Sequence, residues 1–245
     1  MKLMLSIVCF LIIFSSGLSS CIKEQTPGPR ASDTLTLYLR PGPNDGRDVI
    51  VSSYDDDGGA YGNVNNMHNP DLSATRWTFN SVGAGLGTFR SYIKFSALYG
   101  LPDKAIIQSA KLSLFGVSVG DAAPQGNSYY PGSPYYSYGD NKSWLKRVIE
   151  NWNERTITWN NKPATTDENQ VEVPASTSQF NSDAIDLDVT KLVQDMLDDG
   201  KKTAGFCLQL QNEQIYRSVN FASSRYADPA KRPTLIVKYT LGEPE

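Results

Sequence analysis

The sequence predicts an all-β fold, an antiparallel jelly-roll-type β-sandwich carrying one short amphipathic helix. Three observations lead there. Short runs alternate apolar and polar residues with the period of two that a half-buried strand requires. Gly, Pro, Asn and Asp separate these runs, as turns between antiparallel strands do. A single segment has helical periodicity instead.

Taken from the N-terminus, Lys2 precedes an apolar run from Leu3 to Phe14, and small residues then lead to LSSC at Leu18–Cys21. A run this short falls below the about 20 residues needed to cross a hydrocarbon layer of ~30 Å, so it reads as a secretory signal over residues 1–20. Leu at −3, small residues at −2 and −1 and Cys at +1 resemble the bacterial lipobox. That resemblance implies cleavage before Cys21 and lipidation of its sulfur, with the membrane met through the lipid anchor only. Residues 21–32 follow as the lipidated Cys and a polar tether containing Pro-Gly-Pro, and residues 33–242 read as one domain. The expected location is the bacterial cell envelope, as an outer-membrane lipoprotein that is periplasmic or surface-exposed.

Within the domain, DTLTLYL aligns Leu35, Leu37 and Leu39 on one face; SYIKF aligns Ile93 with Phe95; and SAKLSLF aligns Ala110, Leu112 and Leu114. GFCLQLQ does the same with Phe206, Leu208 and Leu210, and PTLIVKYT with Leu235, Val237 and Tyr239. In DVTKLVQDMLDDG the residues Val189, Leu192, Val193, Met196 and Leu197 recur at helical spacing. Asp188 stands as N-cap and Gly200 as stop, which places a helix at about 188–199. Two long excursions, Tyr54–Thr88 and Gly120–Ser143, interrupt the strands and are where function is sought.

Composition narrows the chemistry. A net charge of −3 without a basic block argues against nucleic acid as partner. One histidine, His68, leaves His-based triads and multi-histidine zinc sites to a single loop residue. Of three cysteines, Cys9 leaves with the signal and Cys21 is the anchor, so Cys207 stands alone as a small sheet residue.

Read in order, LRPGPNDGRDVIVSS, RSYIKFS, LPDKAIIQSAKLSLF, NWNERTITWNNKP, DVTKLVQ and FASSRYADPAKRPTLIVKYT resemble the DNRLRE-domain family of secreted proteins. That family is related to disaggregatases and to a family of carbohydrate-binding modules. The most specific element is W-x-E-x-T-x-T-W-x-x-x-P, here Trp152, Glu154, Trp159 and Pro163, with D-V-T and R-P-x-L-x-V-x-Y after it. The resemblance implies a jelly-roll β-sandwich that serves as a non-catalytic module, binding polysaccharides that in some members are acidic. The literal string DNRLRE is missing, and long Tyr-rich and Asn-rich insertions set this chain apart.

Candidate sites follow from residue chemistry. In T-I-T-W, Ile157 and Trp159 would share one strand face, which assigns Trp159 to the core, and Glu154 would accept backbone N–H groups or pair with Arg155 or Arg147. Tyr129, Tyr130, Tyr135, Tyr136 and Tyr138 lie among Pro and Gly, with Trp144 just after them. They suit stacking on sugar faces, or else a loop that covers the sandwich edge. Asp55, Asp56 and Asp57 offer hard oxygen ligands for calcium, with a solvated acidic turn as the alternative. No catalytic set is recognised, and calcium is the one cofactor the sequence suggests. The reading that results is a polysaccharide-binding envelope lipoprotein, with an outer-membrane transport partner left open. Its alternatives are a structural or adhesive lipoprotein with a protein partner and a polysaccharide lyase or hydrolase.

Overall fold

The computed structural model describes residues 33–55, 61–118, 125–200 and 204–241. Alternation delivers strands where one face meets a core: β1 (Leu35–Leu39), β4 (Leu86–Phe95), β5 (Ile106–Leu114), β9 (Phe206–Leu210) and β11 (Thr234–Thr240). Six further strands occur where alternation is weaker: β2 (Gly46–Tyr54), β3 (Asp71–Thr78), β6 (Ser143–Val148), β7 (Thr165–Val173), β8 (Ala184–Asp188) and β10 (Arg217–Ala222). The excursion Tyr54–Thr88 therefore contains a full strand, β3, rather than a single long loop.

Every ladder is antiparallel, and the strands form two layers. The smaller sheet runs β1-β11-β5-β8; the larger runs β10-β3-β4-β9-β6-β7, with β2 on the other edge of β4. Strand β4 pairs with β2 from Gly87 to Phe95, while on its opposite edge it pairs with β3 up to Phe89 and with β9 from Ser91. Where β3 peels away, the Ser91 hydroxyl accepts from Ser73 N–H at 2.7 Å and donates to Ser73 O at 2.9 Å, so the parted backbones stay satisfied.

Between the layers, Leu112, Leu114, Leu235 and Val237 meet Ile93, Phe95, Leu145, Phe206 and Leu208 in the main core. Helix α1 (Thr190–Asp198) adds Leu192, Val193, Met196 and Leu197 to it. The helix starts later than the predicted 188. Val189 is the N-cap residue without a side-chain bond, and the Asp188 carboxylate accepts instead from Thr190 N–H at 3.1 Å and Thr190 Oγ1 at 2.6 Å. Gly200 ends it at φ 66°, a left-handed conformation open to glycine.

Asp188 also receives Lys111 Nζ at 2.8 Å. That lysine first, and Thr190 next, hold its carboxyl down at about 2. A lowered folded value means stabilisation that is present above the unfolded value of about 3.9 and lost as pH falls towards the folded one. The side chain is 63% exposed, so solvent screening keeps the expected loss in Asp188→Asn under about 1 kcal/mol. Urea unfolding should show that loss at pH 7 and little of it at pH 2.

A second cluster lies on the opposite face of the larger sheet: Val49, Val51, Tyr92, Val148, Ile157, Ala204 and Cys207. Trp152, Trp159 and Met67 pack against it. The indoles thus sit outside the sandwich interior, against the back of β4 and β9. Cys207, fully buried and unpaired, has its thiol pushed up to about 11 by burial.

Candidate functional site

The segment Asn151–Pro163 is a knot of turns, not a strand, which corrects the expectation for T-I-T-W. Asparagine side chains explain it. Asn161 Oδ1 accepts from Thr158 N–H at 2.6 Å while its Nδ2 donates to Thr156 O at 2.9 Å. Asn65, from the β2–β3 connection, donates to both Glu154 O and Ile157 O at 2.7 Å. Side-chain amides take the backbone groups that a ladder would have used. Ile157 is buried and Trp159 half-buried, its ring flanked by Lys162 Nζ at 4.1 Å and the Arg90 guanidinium at 5.1 Å. Pro163 accepts from Tyr92 OH at 3.4 Å.

Glu154 pairs with neither Arg155 nor Arg147. Its carboxylate lies 3.5 Å from Arg47 and 3.4 Å from Arg225, and Arg225 also holds Asp48 at 2.9 Å. Arg147 is engaged elsewhere, with Asp199, Asp195 and Glu168. Asp48 is 3% exposed; burial pushes its carboxyl above the ordinary range, against the pull of Ser224 and Arg225.

Beside this cluster opens a cleft of about 460 Å³, lined by Arg47, Lys94, Ser96, Tyr99, Trp152, Asn153, Glu154 and Arg155. Its floor is set by strand register. Arg47 of β2 stands directly opposite Lys94 of β4. Like charges facing across a ladder repel, and among the described residues Glu154 is the one lining carboxylate that offsets them. Lys94 Nζ donates to Trp152 O at 2.7 Å and lies 4.6 Å over the Trp152 ring. Burial first, and Arg47 with it, lowers its pKa, while Glu154 works the other way. Tyr99 at the rim is 79% exposed. A surplus of cations beside an indole and an open phenol suits a ligand that carries both carboxylates and apolar ring faces. For hydrolysis, a second carboxylate would have to face Glu154 across ~5–10 Å of cleft. Asp48, the other acid on Arg225, is buried behind it and does not line the cleft.

The tyrosine loop is built on β10. Ser128 N–H donates to Ser218 O at 2.9 Å, Ser218 N–H to Ser128 Oγ at 3.0 Å and Asn220 N–H to Asn127 Oδ1 at 2.8 Å. Asn141, fully buried, donates to Ser218 O and to Ser176 Oγ, whose hydroxyl reaches Tyr129 O at 2.7 Å. The loop covers the edge of the larger sheet, as an unprotected edge strand requires. Its rings then divide. Tyr129 and Tyr136 stack at 4.4 Å with their hydroxyls 3.0 Å apart. Tyr135 meets Trp77 at 4.5 Å and Tyr216 at 5.3 Å, and Tyr138 meets Tyr216 at 4.8 Å. Tyr130 is half-buried outside these ring contacts. Trp144 does not extend them: it lies in β6, opposite Glu172 and Gln209. Trp77 and Tyr216 carried no sequence signal, since only the fold brings them to the loop.

Asp55 is held by Arg76 at 2.8 Å, and Asp56 and Asp57 lie outside the described residues, as does Cys21. Among the described residues no three His, Cys, Asp or Glu side chains cluster as metal ligands. His68 is an exposed loop residue. Among the same residues no helix is long and apolar enough to cross a membrane.

No curated protein matches the chain. The family model of carbohydrate-binding module family 96 matches residues 44–239, from just before β2 to the penultimate residue of β11. This span takes in every strand but β1, the Asn151–Pro163 knot and the basic cleft, and on it the chain belongs to carbohydrate-binding module family 96.

Proposed function

We propose that this protein captures an acidic polysaccharide without cleaving it, in the cleft of Arg47, Lys94 and Arg155. The observation that carries this is the direct opposition of Arg47 and Lys94 across β2 and β4, with Arg155 beside them and, among the described residues, a single lining carboxylate. A uronate carboxylate placed there relieves the repulsion, and Tyr99 and the Trp152 edge meet the apolar faces of the sugar ring. Glu154 is committed to two arginines, which leaves it a scaffold role rather than that of a general acid. The kinship with DNRLRE-domain proteins belongs to the same reading. So does the envelope setting: Cys21 would carry the lipid and residues 22–32 would hold the domain off the membrane. A calcium ion at Asp55–Asp57 would have to displace Arg76 from Asp55.

Calorimetry of the domain against polyuronates and neutral glycans tests the proposal. Binding to a polyuronate is expected, weakening as salt is raised, with no unsaturated product absorbance. Arg155→Glu, at an exposed position, should weaken it by about tenfold or more, in line with the loss of one charge-assisted hydrogen bond. No binding to any polyuronate would overturn the proposal.

A further inference from the structure

At the far end of β4 lies a second cavity, of about 390 Å³, whose lining includes Trp77, Asn80, Gln125, Tyr135, Tyr138 and Tyr216. Trp77 stands opposite Gly87 and Arg47 opposite Lys94, so the two sites are separated by seven residues of strand, about 23 Å at ~3.3 Å per residue. They are independent places on the fold.

We infer that this cavity is a second glycan subsite, taking a neutral pyranose. Its volume is in the range of small-ligand pockets, and among the described residues no charged side chain lines it. An anionic sugar would lose hydration there with no cation to replace it. What the lining does offer is aromatic surface next to amides and hydroxyls: four aromatic side chains beside Asn80, Ser81, Gln125 and Thr78. Pyranoses present the matching surface, an apolar C–H face edged by hydroxyl groups.

The rings are held in place rather than loosely collapsed. Trp77 is 5% exposed and serves as the base against which Tyr135 and Tyr216 pack edge-on. Tyr135 OH donates to Gln125 Oε1 at 3.2 Å, and Gln179 Nε2 holds Gln125 O at 3.0 Å. Arg217, itself buried, donates to Tyr138 O at 2.8 Å. That approach is possible because the next residue is glycine: a Cβ on Gly139 would lie 2.5 Å from Arg217 Nη2. Tyr216 takes φ 63°, a left-handed conformation that a bulky side chain rarely adopts. Strained backbone persists where surrounding structure fixes it, and here it presents a ring to a cavity at the surface. Tyr138, 46% exposed, is the ring most open to a ligand.

Calorimetry with neutral oligosaccharides from mannan, glucan, xylan and galactan tests the inference. One of them should bind, with little change on raising salt, and Tyr138→Ala should weaken it by tenfold or more. Tyr138→Phe, which keeps the ring, should retain most of the affinity, and Arg155→Glu should leave it unchanged. Polyuronate binding by Tyr138→Ala should match wild type, which separates failure here from failure of the cleft. Absence of binding to all four classes, or affinity unchanged in Tyr138→Ala, overturns the inference.

Discussion

Replacing Arg225 with methionine is expected to destabilise the fold by about 3–5 kcal/mol, the usual consequence of removing one partner from a buried ionic cluster. Its guanidinium donates to Asp48 Oδ1 at 2.9 Å, to Asp48 O at 3.1 Å and to Glu154 Oε2 at 3.4 Å. Both carboxylates are nearly inaccessible; without Arg225, Glu154 keeps Arg47 at 3.5 Å while Asp48 keeps Ser224, whose N–H donates at 2.6 Å, so the variant leaves the Asp48 charge out of water with no cation on it. The pH dependence follows from Asp48. Burial already raises its carboxyl in the folded state, and loss of Arg225 raises it further. A raised folded value contributes stability that is present below the unfolded value of about 3.9 and lost as pH rises through the folded one. The deficit of Arg225→Met should therefore be largest at pH 7 and narrow as pH falls towards 4. Urea unfolding across that interval measures it. The triple variant Asp48→Asn, Glu154→Gln, Arg225→Met should recover most of the loss, because no buried charge remains unpaired. A deficit in Arg225→Met that is independent of pH would assign the effect to lost packing instead.

Alternation made β1, β4, β5, β9 and β11 legible because each has one face in the main core. It failed for β6 and β10 because polar residues are buried there: Arg147, 6% exposed among three carboxylates, and Ser218 with Asn220 beneath the tyrosine loop. It failed for β7, TTDENQVEV, because that strand lies at the end of its sheet and buries only Val173 fully. The same limit applied to the cleft. Glu154 and Trp152 stood out in the sequence, but Arg47 and Lys94 are distant in the chain and become neighbours only through the β2–β4 register. One signal was present. Pairing GRDVIVSS with the strand that holds SYIKF sets two cations opposite each other, a juxtaposition that calls for a counter-ion. For the tyrosines, composition singled out the loop but could not show which rings meet. Tyr129 and Tyr136 pair with each other, while Tyr135 and Tyr138 depend on Trp77 and Tyr216 from β3 and the β9–β10 turn.

Trp152→Ala is expected to cost about 3 kcal/mol of stability, at the low end for a large aromatic because the ring is only half-buried. Three contacts account for the size. Indole Nε1 donates to Ala204 O at 2.7 Å, the ring meets Tyr92 edge-on at 5.8 Å, and Lys94 Nζ caps its face at 4.6 Å. The first matters most for shape, because Ala204 leads into β9 and the bond ties the turn knot to the sheet edge that carries the cleft. Trp152→Phe keeps the ring and loses the donor, so about 1–1.5 kcal/mol should go with the hydrogen bond. Trp159→Ala should cost about 1 kcal/mol, since its partners Lys162 and Arg90 reach water and cation–π contacts at such sites are weak. Urea unfolding ranks the three variants, and calorimetry with a polyuronate on the folded fraction separates support from contact. If the indole is a prop, Trp152→Phe binds nearly as well as wild type, because Arg47, Lys94 and Arg155 stay in place. If Trp152→Ala instead keeps wild-type stability and loses the glycan, the indole is a stacking platform and the knot around it is not what holds the cleft open.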